Sequence, residues 1–273
     1  MVSLTSPHTR SRPLDTTLLW ASTRFWFAVT LIGQLAFTAF ILGFYGTRTA
    51  SGNFAAWDDK PTIHAYEAGD LIGNLVFITH VLLAAVITLS GLIQLLPVIR
   101  KKWPKLHRWS GRIFILLGMI GAVSGIWLTW VRGSQVSLDS AIAVSLNGVL
   151  ILWTGGLAWR HALRRQFATH EQWALRAFML ISGVWFFRLA IMAWTILGRG
   201  VFRLPASSQA IADPILEFGS YLLPLLVLEL YFLARRRKTG ALTYATAGII
   251  TVCTCLMAVG VFGAISFMWL PNL

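Results

Sequence analysis

His80 and Arg188 stand out because each lies inside a long apolar run. An ionisable side chain at the centre of a hydrocarbon slab costs at least about 2.5 kcal/mol, so such residues face a bundle interior and a partner. Arg188 stays charged at any accessible pH, which makes it a binding residue or half of an obligatory charge pair. Gln34 and Asn147 lie in two further apolar runs. At about 1.5 Å of helix per residue, His80 lies about 15 Å from Asp70, Arg188 about 17 Å from Arg199, Gln34 about 21 Å from Arg48 and Asn147 about 12 Å from Asp139. Polar side chains in one band of depth predict a polar pocket within a membrane. The alternative for Gln34 and Asn147 is that each only hydrogen-bonds a neighbouring helix.

A second group sits at one edge of the apolar runs. Its segments read Pro104-Lys-Leu-His-Arg-Trp-Ser-Gly-Arg112 and His170-Glu-Gln-Trp-Ala-Leu-Arg176. Imidazole is the commonest metal ligand, and haem hangs between axial histidines in helix bundles. One site between His107 and His170 could therefore hold haem b or a metal, with Arg108, Arg112 and Arg176 around it. Helix N-termini expected just after these histidines add partial positive charge. That charge favours a haem propionate or a phospholipid headgroup over a bare zinc ion. The plainer reading is interface anchoring, where Trp and Arg are ordinary. Glu229 either pairs with Arg235–Arg237 or joins a binding site. Cys253 and Cys255 point about 200° apart on a helix and cannot share a ligand. No Ser-His-Asp set or pair of buried carboxylates can be picked out, which argues against hydrolysis and leaves open whether the chain is an enzyme.

The elements that must position these residues are long apolar helices. The chain has 273 residues, 56% hydrophobic and 12% charged, about half the charge of a soluble domain. Seven runs, near 25–45, 71–99, 113–131, 140–159, 175–196, 214–234 and 243–270, are long enough to cross about 30 Å of hydrocarbon. They do not alternate with period two, so an all-α transmembrane bundle is expected and a barrel is excluded. This gives an N-terminal segment, 1–24, and one membrane domain, 25–270. In the second run Gly73, Phe77, His80, Ala84, Ile87, Gly91 and Gln94 share a face, which turns His80 inward. In the third, Gly111, Gly118 and Gly125 with Ala122 form a stripe for close helix contact. Pro224 is the one place where a span could break.

The net charge of +13 is explained by its placement. Between them, the N-terminus, the links between runs two and three, four and five, and six and seven, and the residues beside them hold 17 of the 23 basic residues. Seven of the ten acids lie on the other side. The bias predicts a cytoplasmic N-terminus and an external C-terminus, the lipid bilayer as partner and no nucleic-acid role. It says nothing about oligomeric state.

Three blocks resemble a family of bacterial membrane proteins catalogued as domain of unknown function 2306. They are the run from His80 to Gln94, Leu106-His-Arg-Trp-Ser-Gly-Arg112, and His170 through Arg176 with Arg188 twelve residues on. Glu229 before Arg235 matches the family's late acid before a basic cluster. Ala174 and Ile93 stand where the family tends to have Met and Pro. The resemblance covers about residues 70–235. It implies a multi-pass protein of the bacterial inner membrane and carries no established activity. The functions left open are a haem- or metal-linked membrane redox protein, a transporter or lipid- or solute-binding protein using the polar pocket, and a non-catalytic membrane protein.

Overall fold

The computed structural model describes residues 14–59, 65–237 and 240–273. Arg10, Arg12 and Lys238, counted above among the basic residues, lie outside them. The described chain is helical, and seven of its helices are long and apolar enough to cross a membrane. We label the elements α1 (Leu14–Ala50), α2 (Leu71–Leu95), α3 (Pro104–Trp130), α4 (Leu138–Leu163), α5 (Phe167–Ile181), α6 (Gly183–Val201), α7 (Ser208–Arg237) and α8 (Gly240–Asn272). All but α5 are the candidate spans. The end of the bundle holding the links α2–α3, α4–α5 and α7–α8 is the basic face, and the opposite end the acidic face.

Several boundaries differ from the sequence expectation for local reasons. The described part of the expected N-terminal segment 1–24, residues 14–24, is already helix and belongs to α1. α2 stops at Leu95 because Leu96 is extended ahead of Pro97, the backbone that a following proline favours. α3 begins at Pro104, where proline suits a first helical turn. His107 therefore lies on the helix and not before it. His170 likewise sits in the first turn of α5.

Span five carries the main correction. A turn at Ser182 separates α5 from α6, as expected where a Ser-Gly pair falls in a helix. The halves keep different neighbours: α5 packs mainly on α4, and α6 on α8 and α7. Pro224 does not break its span, because Pro214 and Pro224 both lie inside one continuous α7. Gly260 of α8 stands directly against the Leu189 backbone of α6, where an added Cβ would meet the Leu189 carbonyl carbon at 2.9 Å.

Around this centre, α2 packs on α3, α3 on α4, and α1 on α8. Of the inward face expected for α2, Gly73, Phe77, Ile87 and Gly91 are buried and His80, Ala84 and Gln94 are half-buried. The core is aromatic at the acidic end, where Phe37, Phe40, Phe44, Tyr45 and Trp269 pack together. Many large apolar side chains face outward, as lipid-facing helices require.

Candidate functional site

Polar clasps join α2 to α3 at both ends of the His80–Gln94 run. His80 Nδ1 lies 2.7 Å from Ser124 Oγ. Gln94 Nε2 donates to Ser110 Oγ at 2.6 Å and to the His107 carbonyl at 3.0 Å. The glycine stripe of α3 makes room for this. A Cβ at Gly125 would lie 3.4 Å from the His80 ring, one at Gly111 would lie 2.9 Å from Gln94 Oε1, and one at Gly118 would collide with Ile181. The stripe seats specific side chains as well as helices.

Arg188 points inward from α6. Its guanidinium lies 5.2 Å from the Phe37 ring centroid, and Nη1 donates to the Val184 carbonyl at 3.2 Å. It is the principal charged neighbour of both His80 and Tyr45. Among the described residues no carboxylate lies within ion-pair distance of it. Towards the acidic face the region is closed by buried aromatics, with Phe77 at 6.0 Å from Tyr45 and 6.1 Å from Trp57.

Gln34 and Asn147 meet at the break in span five. Gln34 Nε2 donates to Ser182 Oγ and Asn147 Nδ2 to the Leu180 carbonyl, both at 3.2 Å. They bond neighbouring helices, and the group they bond is the interrupted backbone. Gln34 Oε1, Asn147 Oδ1 and Trp185 Nε1 stay buried without a hydrogen-bond partner. An unsatisfied buried polar atom costs about 1–3 kcal/mol.

At the basic face the expected ring of arginines around His107 and His170 is only partly formed. His107 is half-buried, Arg100, His170 and Arg108 are the ionisable groups that act on it, and no hydrogen bond joins the two imidazoles among the described residues. Arg112 turns to Trp109, 5.1 Å from its ring centroid. Arg176 is taken by Glu229 in a two-point pair, at 2.6 and 2.9 Å. Glu229 thus pairs across helices and not with Arg235–Arg237, because the Arg176 side chain can deliver two parallel N–H bonds to it. His170 Nδ1 donates to the Ala158 carbonyl at 2.9 Å, while His107 Nδ1 is buried without a partner. Among the described residues no three His, Cys, Asp or Glu side chains gather as metal ligands. Neither imidazole lines the large cleft of the bundle. The haem or metal expectation gains no support from this arrangement.

Sequence reasoning missed two clusters. Arg100 pairs with Glu171 at 3.2 Å across the basic face. At the acidic face buried Arg132 pairs with Asp70 at 3.4 Å and donates to Asn74 Oδ1 at 2.7 Å and to the Ala65 carbonyl at 3.0 Å. Its guanidinium stands 5.5 Å from the Phe77 ring centroid and so anchors the aromatic roof. The available signal was a lone cation among acids at the end of α3.

The chain matches no curated protein and no solved structure. Residues 77–232, more than half of it, match the model of the family described as predicted membrane protein (DUF2306). That segment contains His80, the glycine stripe of α3, both edge histidines, Arg188 and the Arg176–Glu229 pair, and the chain belongs to this family of membrane proteins of unknown function.

Proposed function

We propose that this is a solute-handling protein of the bacterial inner membrane that binds an anionic solute beside Arg188, with span five as the moving element of a transporter. One observation carries the reading: among the described residues, a guanidinium inside an apolar bundle has no carboxylate partner. A buried charge left uncompensated is strongly destabilising, and an anionic solute supplies the missing countercharge. His80, Ser124 and Tyr45 offer hydrogen-bonding groups on the facing helices. Interrupted helices near a binding site are the usual construction of secondary transporters, and the Ser182 break lies six residues before Arg188.

The test uses detergent-purified protein and the small anions acetate, phosphate and sulfate as probes. An anion at 100 times its Kd stabilises the fold by about 2.7 kcal/mol, which is readable as a raised Tm. Arg188→Gln should abolish the rise and Arg188→Lys should keep part of it. A rise unchanged in Arg188→Gln, or none with any probe, would overturn the reading. An absorption band of low-spin haem, lost in both His107→Ala and His170→Ala, would replace it with a redox role.

A further inference from the structure

A cleft of about 1150 Å³ runs between α1, the end of α2 with the link that follows it, α5, α6, α7 and α8, slightly larger than the roughly 300–1,000 Å³ of ordinary small-molecule sites. Along α7 it extends from Ile215 to Tyr231, about 24 Å of helix, which is most of a bilayer's hydrocarbon thickness of about 30 Å. Arg188, His80, Gln34 and Asn147 do not line it, so it is separate from the proposed solute site.

Its polarity is one-sided. The walls are apolar, from Phe186, Leu189, Leu223 and Val227 to Leu256 and Met257. All the charged lining residues, Arg24, Arg100 and Glu171, stand at the basic face. Glu171 is engaged by Arg100 at 3.2 Å. Arg24 is exposed, has no carboxylate partner among the described residues and lies 3.7 Å from the Trp20 ring centroid. The mouth therefore carries more positive than negative charge at headgroup depth, above an apolar channel of acyl-chain length.

We propose that this cleft holds an anionic phospholipid, its phosphate at Arg24 and Arg100 and its acyl chains along α7. A basic pocket between transmembrane helices recognises a lipid headgroup in the same way that surface basic clusters do. The occupant follows from charge complementarity at one end and apolar walls along the rest.

Gly219 makes the proposal testable, because it lines the cleft and an added Cβ there meets nothing within 4 Å. Gly219→Phe should fill the channel from a position that tolerates a side chain. The full-length protein is purified in detergent, offered dioleoyl phosphatidylglycerol or dioleoyl phosphatidylcholine, and weighed by native mass spectrometry. The wild type should retain the anionic lipid preferentially. Arg24→Gln and Arg100→Gln should each lower that retention by about fivefold, and Gly219→Phe should abolish it with unchanged helical circular dichroism. If Gly219→Phe loses its fold, the two arginine variants decide the matter. Equal retention of both lipids, retention unchanged in the arginine variants or in a folded Gly219→Phe, or a dimer mass in place of the lipid adduct would overturn the proposal.

Discussion

Arg176 and Glu229 form a two-point ion pair, Nε to Oε1 at 2.6 Å and Nη2 to Oε2 at 2.9 Å, which ties α5 to α7. The guanidinium also lies 4.6 Å from the Trp173 ring centroid and 5.2 Å from that of Phe232. Both carboxylate oxygens and both ring faces act on one cation, so the pair fixes how α5 meets α7.

Arg176→Gln and Glu229→Gln should each destabilise the protein by roughly 1.5–3 kcal/mol, the worth of a hydrogen bond to a charged group. The double variant should cost less than the two single losses added together, because one interaction is lost twice in the sum. Unfolding in graded denaturant measures all three. Strict additivity would mean that the pair contributes no coupling.

Gly260→Ala should be costly for so small a change. The new methyl would press on the Leu189 backbone, which has no rotamer to yield. Overpacking of this kind costs about 1–3 kcal/mol. Gly248→Ala, with nothing within 4 Å of the added Cβ, is the control and should leave Tm unchanged or slightly raised.

Ser124→Ala should cost about 1–3 kcal/mol, since it removes the hydroxyl that meets His80 Nδ1 at 2.7 Å and leaves that ring nitrogen without its partner. Gly125→Leu should be worse, because its side chain would take the space of the His80 ring 3.4 Å from the added Cβ. Thermal unfolding of the purified variants ranks the two, and the reverse order would mean that α3 can move away from His80.

Orientation is checked by reporter fusions. With 17 of 23 basic residues on one side, fusions after Arg108, Arg165 and Lys238 should report the cytoplasm and one after Leu273 the exterior. A cytoplasmic signal after Leu273, with Lys238 also cytoplasmic, would mean that the seventh span, α8, does not cross.

The spans were legible because continuous apolarity of this length has one stable outcome in lipid. The inward face of α2 was legible from its 3-4 spacing, and the α3 stripe from its glycines. Helix starts were not, since Pro104 and Phe167 lie in polar sequence where apolar counting stops, and local backbone preference sets the boundary. The Ser182 turn was hidden by a hydrophobic run that continues across it, while the more conspicuous Pro224 sits in unbroken helix. Neither the partner of Glu229 nor the enclosure of Arg132 could be read from sequence, because each depends on helices 53 and 58 residues away.

The pairing of α1 with α8 has a consequence for how the protein is made. α2, α3, α4 and α5 each pack on the element synthesised just before, so they can associate as they leave the ribosome, in the N-to-C order of synthesis. α1 packs on α2 as well but finds its largest partner only in α8. Until α8 has been made, the face of α1 that carries Gly33 and Phe37 must wait in lipid for Val261 and Trp269. Although α1 is made before the other seven helices, it is thus among the last of them to be fully seated, and a chain released before α8 leaves it half exposed.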